Sequence, residues 1–148
     1  RLYHSTAILL PDASVLVAGS TGHDFTRAIF NPKQYFEQEI EIIKPAYLEN
    51  TARPKIISQV SSLHYNTTFQ ITTDVENIAR VSLIRLSSTT HNNNMDQRCL
   101  FLEILEKVGS VLKLKSPKDG SWAPPGPYML FVVDDHGIPS TAKFVQVI

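Results

Sequence analysis

No stretch of this 148-residue chain keeps apolar residues at i, i+3, i+4 and i+7 for three turns, so no long amphipathic helix can carry its core. The apolar residues fall instead into short runs: "YHSTAILL", "SVLVAG", "EQEIEII", "KIISQV", "TFQITT", "ARVSLIRL", "CLFLEIL", "SVLKLK", "YMLFVV" and "KFVQVI". Val, Ile, Leu, Phe and Tyr dominate them, and Pro, Gly, Asn, Asp and Ser separate them. Two runs alternate cleanly. In "ARVSLIRL", Val81, Leu83 and Arg85 share one parity while Ser82 and Ile84 take the other. In "SVLKLK", Leu112 and Leu114 are expected inward and Lys113 and Lys115 outward. The predicted fold class is all-β.

Turn chemistry agrees. Pro11-Asp12 in "LLPDASVLV" separates two apolar runs as a tight turn would. Asp119-Gly120 in "SPKDGS" suits positive φ, and Gly137 and Pro139 in "DDHGIPS" end a strong strand that "APPGPY" approaches stiffly. The periodicity breaks over residues 44–54, "KPAYLENTARP", which reads as a linker. Residues 55–148 hold about seven short strands, the number expected of an immunoglobulin-like sandwich. Residues 1–43 hold about three strands, too few for an independent fold, and are expected to pair with chain beyond them. Exposed edges on those strands would otherwise favour self-association.

Composition narrows the classes of function. Fourteen basic residues balance fourteen acidic ones, and no Lys/Arg block breaks the balance. A general electrostatic binder of nucleic acid or of an anionic membrane is therefore not expected. No apolar run reaches the length of a membrane span, and the first residues show no signal-peptide pattern. Cys99 is the single cysteine; it lies on an apolar run and is expected to be a buried core thiol. Asn66-Thr67-Thr68 is a glycosylation sequon in an expected surface turn, usable in a secreted eukaryotic protein.

The five histidines show no zinc-ligand spacing with each other or with Cys99. No GxGxxG, GxxxxGK[ST], GxSxG or HExxH occurs. Two places stand out. Tyr3-His4 sets a phenol beside an imidazole, and both can address one point only if the strand is irregular there or just leaving a loop. His91 stands in "SSTTHNNNMDQRC", a polar loop between strongly apolar strands, with much freedom to present a side chain. A metal set of Tyr3, His4 and His91 competes with ordinary strand filling and a solvated loop histidine. Asp134, Asp135 and His136 precede Gly-Ile-Pro and read as a turn rather than a metal cluster. Trp122 reads as a packing or edge-covering aromatic rather than a sugar platform.

The whole length resembles the C-terminal portion of the copper radical oxidases, the galactose oxidase and glyoxal oxidase family, and is closer to the glyoxal oxidase-like branch. The matching residues are "RLYHSTAILLPDASVLVAGS", "KPAYL", "RPKI", "SLIRLSSTTHNNNMDQRCLFL" and "APPGPYMLFVVDDHGIPSTAKFVQV". R-x-Y-H-S, T-H-x-x-x-x-D-Q-R, P-G-x-Y-M-L-F-V and G-x-P-S follow one another in that order. The resemblance implies that residues 1–43 belong to the last blade of a seven-bladed β-propeller, followed by an immunoglobulin-like early set domain. It implies that Tyr3 is an axial copper ligand and general base, and that His4 is a ligand. His91 would be a second histidine ligand, carried on a loop that enters the propeller. The implied reaction is oxidation of an aldehyde or primary alcohol by O2, giving H2O2, in a secreted enzyme.

The resemblance also shows what these residues lack. The cysteine and tyrosine that form the family's radical cofactor lie in earlier blades, and nothing here matches them. The N-terminal propeller of the same protein is therefore an expected partner, and this chain alone is not expected to catalyse. Ala13-Ser14 stands where relatives place a glycine after Pro-Asp. The competing reading is a non-catalytic β-sandwich module for interaction, self-assembly or carbohydrate binding.

Overall fold

The computed structural model describes residues 4–19, 39–49 and 52–148. Three strands, β1 (Thr6–Leu9), β2 (Val15–Ala18) and β3 (Glu41–Ile43), make an antiparallel sheet in that order. A single 3-10 turn, Ala46–Leu48, follows. The rest is β-structure: β4 (Ser62–Leu63), β5 (Thr68–Thr72), β6 (Ile78–Arg85), β7 (Thr89–Thr90) and β8 (Asn93–Asn94). After them come β9 (Cys99–Leu102), β10 (Ile104–Val108), β11 (Val111–Lys115), β12 (Gly126–Asp134) and β13 (Lys143–Val147). A five-stranded sheet, β4-β13-β12-β6-β9, faces a three-stranded one, β10-β11-β5, and β7-β8 stand apart as a hairpin. This is the all-β, immunoglobulin-like sandwich that the sequence predicts.

Side-chain parity builds the core. Leu112 and Leu114 are buried while Lys113 and Lys115 remain partly exposed. Val81 and Leu83 enter the sandwich core with Ile71, Leu130 and Val145. Arg85 keeps their parity and ends over the Tyr128 ring, 5.5 Å from its centroid. Ile84 faces the other way, into a second core.

The run "YMLFVV" does not alternate, and β12 shows why. Tyr128, Leu130 and Val132 point into the sandwich, while Met129 and Phe131 join Ala13 on the opposite face. Leu9, Tyr47 and Leu48 complete that second cluster. A strand covered on both faces reads as a continuous apolar run. The N-terminal sheet is thereby docked on the back of the five-stranded sheet. Polar ties reinforce the contact: Ala142 N donates to Pro11 O and Tyr47 Oη donates to Ala13 O, each at 2.8 Å. Arg53 donates to the carbonyls of Pro139 and Ser140, both at 2.8 Å. Tyr47 is thus tied to the N-terminal sheet and Arg53 to the sandwich.

Two turns refine the sequence reading. Ala13 takes φ +68° in the β1–β2 loop, the conformation glycine adopts most easily, so the departure from Pro-Asp-Gly is absorbed as backbone strain. Asp12 closes this loop by accepting from the Ser14 hydroxyl and amide, and those bonds hold its carboxyl below the usual carboxylate range. That contribution is complete above the unfolded carboxylate pKa and is lost as pH falls through the lowered folded value. Gly120, by contrast, is absent from the positive-φ residues. Asp119 shapes its turn instead, its carboxylate accepting from Ser121 and its carbonyl from Trp122 and Ala123.

The two faces of β12 can be separated by mutation. Leu130→Ala should cost about 2–5 kcal/mol in chemical denaturation. Met129→Ala should instead speed amide exchange across the N-terminal sheet while the sandwich keeps its protection.

Candidate metal centre

His4 lies in a turn just before β1, with φ +56°. Here is the irregularity that a Tyr3-His4 site requires; Tyr3 itself lies outside the described residues. Gly19, at the end of β2 with φ +77°, makes this turn possible. A Cβ there would lie 2.6 Å from His4 O. The sequence reading passed over Gly19, although a glycine ending an apolar run is a known mark of close backbone approach.

His91 is held by a hairpin rather than by a free loop. Thr89 pairs with Asn94 and Thr90 with Asn93, which leaves His91-Asn92 as a two-residue connection. Both residues are left-handed, at φ +51° and +68°, as a type I′ turn demands. Asparagine at the second position suits that turn, which explains the first residue of the "NNN" run. The Nδ1 of His91 shares a hydrogen bond with Thr90 Oγ1 at 2.8 Å. This contact engages Nδ1, as when an imidazole ligates a metal through one nitrogen and the other is fixed by a neighbour.

β1 and β7 touch, and the two histidines meet. Their ring centroids are 4.8 Å apart, edge to face at 82°. Two imidazoles supply nitrogen donors of the kind transition metals take. Among the described residues no group of three His, Cys, Asp or Glu side chains could hold a metal ion, so a third donor must be of another type or lie elsewhere. Two hydroxyls, Thr6 Oγ1 and Thr89 Oγ1, are buried without a hydrogen-bond partner among the described residues. Each stands two positions from one of the histidines. Such unmade bonds are uncommon in folded proteins, and a bound ion or water is one ground for them. An open cleft of 450 Å³ is lined by Ser5, Thr6, Ala7, Val17, Glu41 and Asn92, which include the chain neighbours of both histidines but neither histidine. The residues fit a bound metal.

The remaining candidates stand elsewhere. Asp134 accepts from the amides of His136 and Ile138, so the Asp134-Asp135-His136 stretch is a closed turn. Asn66 is exposed in a turn at φ +53°, with Thr68 also exposed. Trp122 is 58% exposed and lines a cleft of 410 Å³ with Phe101 and Cys99. Cys99 is exposed, which corrects the expectation of a buried thiol. On edge strand β9, Leu102 and, in part, Leu100 fill the sandwich core, and the opposite parity puts Cys99 and Phe101 outside. His23 lies outside the described residues.

Comparison with known proteins gives a consistent picture. The family model of the galactose oxidase-like early set domain matches residues 53–147. Aldehyde oxidase GLOX1 of Arabidopsis thaliana is 34% identical over all of this chain, and galactose oxidase of Gibberella zeae is 32% identical over 99% of it. The chain spans only 26% and 21% of their lengths. A solved fungal alcohol oxidase of the AA5 family, in complex with copper, superposes with a TM-score of 0.81 at 30% identity. That match covers 97% of this chain and 30% of the other.

Gly19→Ala should push the His4 carbonyl aside and cost at least about 1–2 kcal/mol for the left-handed backbone. The readout is loss of nuclear Overhauser contacts between the two imidazoles while sandwich resonances hold their positions.

Proposed function

The chain belongs to the galactose oxidase-like early set family, and on that premise we propose that it supplies Tyr3, His4 and His91 to the copper centre of an oxidase. The substrate class is a small aldehyde or primary alcohol, and the oxidant is O2. The observation that carries this reading is the meeting of His4 and His91, brought from two separate units to a ring separation of 4.8 Å. Relatives named as aldehyde, galactose and alcohol oxidases support it, one of them solved with copper.

Each residue has a distinct task. His4 and His91 hold the metal through imidazole nitrogen, and Thr90 fixes which nitrogen of His91 faces it. The Tyr3 phenolate accepts the proton of the substrate hydroxyl as general base. Copper, with a cross-linked Tyr-Cys radical cofactor contributed from outside these residues, supplies the acceptance of two electrons and their delivery to O2 as H2O2. The chain alone lacks that cofactor and does not turn over by itself. Its N-terminal sheet is read as strands of the last propeller blade, with residues 44–54 linking it to an early set domain over 55–148. The exposed Ile40, Ile42 and Ile43 on and beside β3, an edge strand among the described residues, are then covered by the propeller of the same protein. The same exposed edge favours a second reading, pairing between copies, which a concentration-dependent mass of the full-length protein would reveal.

In the full-length protein, His91→Ala should remove copper-dependent peroxide formation and lower bound copper measured by atomic absorption. Unchanged turnover would refute the assignment. Secretion is part of the same proposal, supported by the exposed sequon at Asn66. Protein from its natural source should lose mass on peptide N-glycosidase treatment, and Asn66→Gln should abolish that loss.

A further inference from the structure

Asn94 occupies one of the unassigned positions between His91 and Asp96, yet its side chain makes three hydrogen bonds. Its Oδ1 accepts from Ser88 N at 3.0 Å and from Asp96 N at 3.2 Å. Its Nδ2 donates to Ser87 Oγ at 3.2 Å. One carboxamide therefore joins the strand entering the hairpin to the strand leaving it. Met95 N adds a bond to Ser88 O at 2.9 Å in the same place.

The clasp is tied to the body of the protein. Asp96 Oδ2 lies 3.5 Å from Arg85 Nε. The Arg85 guanidinium donates to Pro124 O at 2.8 Å and to Tyr128 Oη at 3.3 Å, and Tyr128 is fully buried in the sandwich core. A two-residue-per-strand hairpin has little stability of its own in water. The Asn94 bonds and the Arg85–Asp96 pair tie its base to the sandwich.

We propose that Asn94 is a positioning residue for His91, locking the hairpin so that the imidazole reaches His4. The copper arm of this inference rests on the function proposed above, whereas the ring-to-ring arm does not. Asparagine is suited to the task because it presents an acceptor and a donor together. Aspartate keeps the two bonds accepted from backbone amides, and the Ser87 hydroxyl can reverse its role and donate to the carboxylate.

The test uses the full-length protein with histidines labelled in 13C and compares wild type with Asn94→Ala, Asn94→Asp and His91→Ala. Asn94→Ala should lose the His4–His91 ring contact by nuclear Overhauser measurement while thermal unfolding of the sandwich is unchanged. It should also weaken Cu(II) binding about 10–100-fold in chelator competition, with an altered electron paramagnetic resonance spectrum. Asn94→Asp should restore the ring contact and most of the affinity. An Asn94→Ala variant that keeps the ring contact overturns the proposal. If His91→Ala binds Cu(II) as wild type does, the copper reading fails, and the ring contact alone then decides the role of Asn94.

Discussion

The double burial of β12 is the constraint on which the rest of the structure depends. One face of the strand closes the sandwich, and the other carries the N-terminal sheet through Met129 and Phe131. Each fully buried large apolar side chain contributes about 1.5–3 kcal/mol of transfer free energy. The Arg85–Asp96 pair, with Asp96 47% open to solvent, contributes about 0–1 kcal/mol. Packing therefore decides how the two units sit, and the polar ties of Arg53 and Tyr47 set orientation.

Backbone strain is concentrated where packing can support it. The described non-glycine residues at positive φ are His4, Ala13, Asn66, His91 and Asn92, and two of them are the paired histidines. Such conformations cost of order 1–3 kcal/mol each and persist only where neighbours over-determine them. At His4 the neighbour is Gly19, whose missing side chain makes room for the carbonyl. At His91 it is the register of β7 and β8, which leaves two residues to reverse the chain.

Much of the fold was legible because strand parity is a local signal. The alternation put Val81 and Leu83 on one face and Leu112 and Leu114 inward, and all four are buried. Cys99 misled because an apolar run on an edge strand is covered on one face only, and the run does not state which parity wins. The "HNNN" stretch looked like unstructured polarity. Its residues in fact divide into a left-handed turn position, a strand position and a hydrogen-bonded clasp, roles that depend on partners at Ser87, Ser88 and Asp96. Residue types suggested His4 and His91 separately. Their meeting depends on the docking of two units, which no single segment encodes.

That division of the site has a thermodynamic corollary. One imidazole belongs to the N-terminal sheet and the other to a hairpin of the sandwich. Any ligand that grips both at once binds only the docked arrangement, so its binding free energy adds directly to the cohesion of the two units. Conversely, every substitution that loosens the interface around Phe131 raises the apparent dissociation constant of that ligand without touching it. The site thus doubles as a gauge of assembly, reading out at its mouth how firmly the layers beneath it are joined.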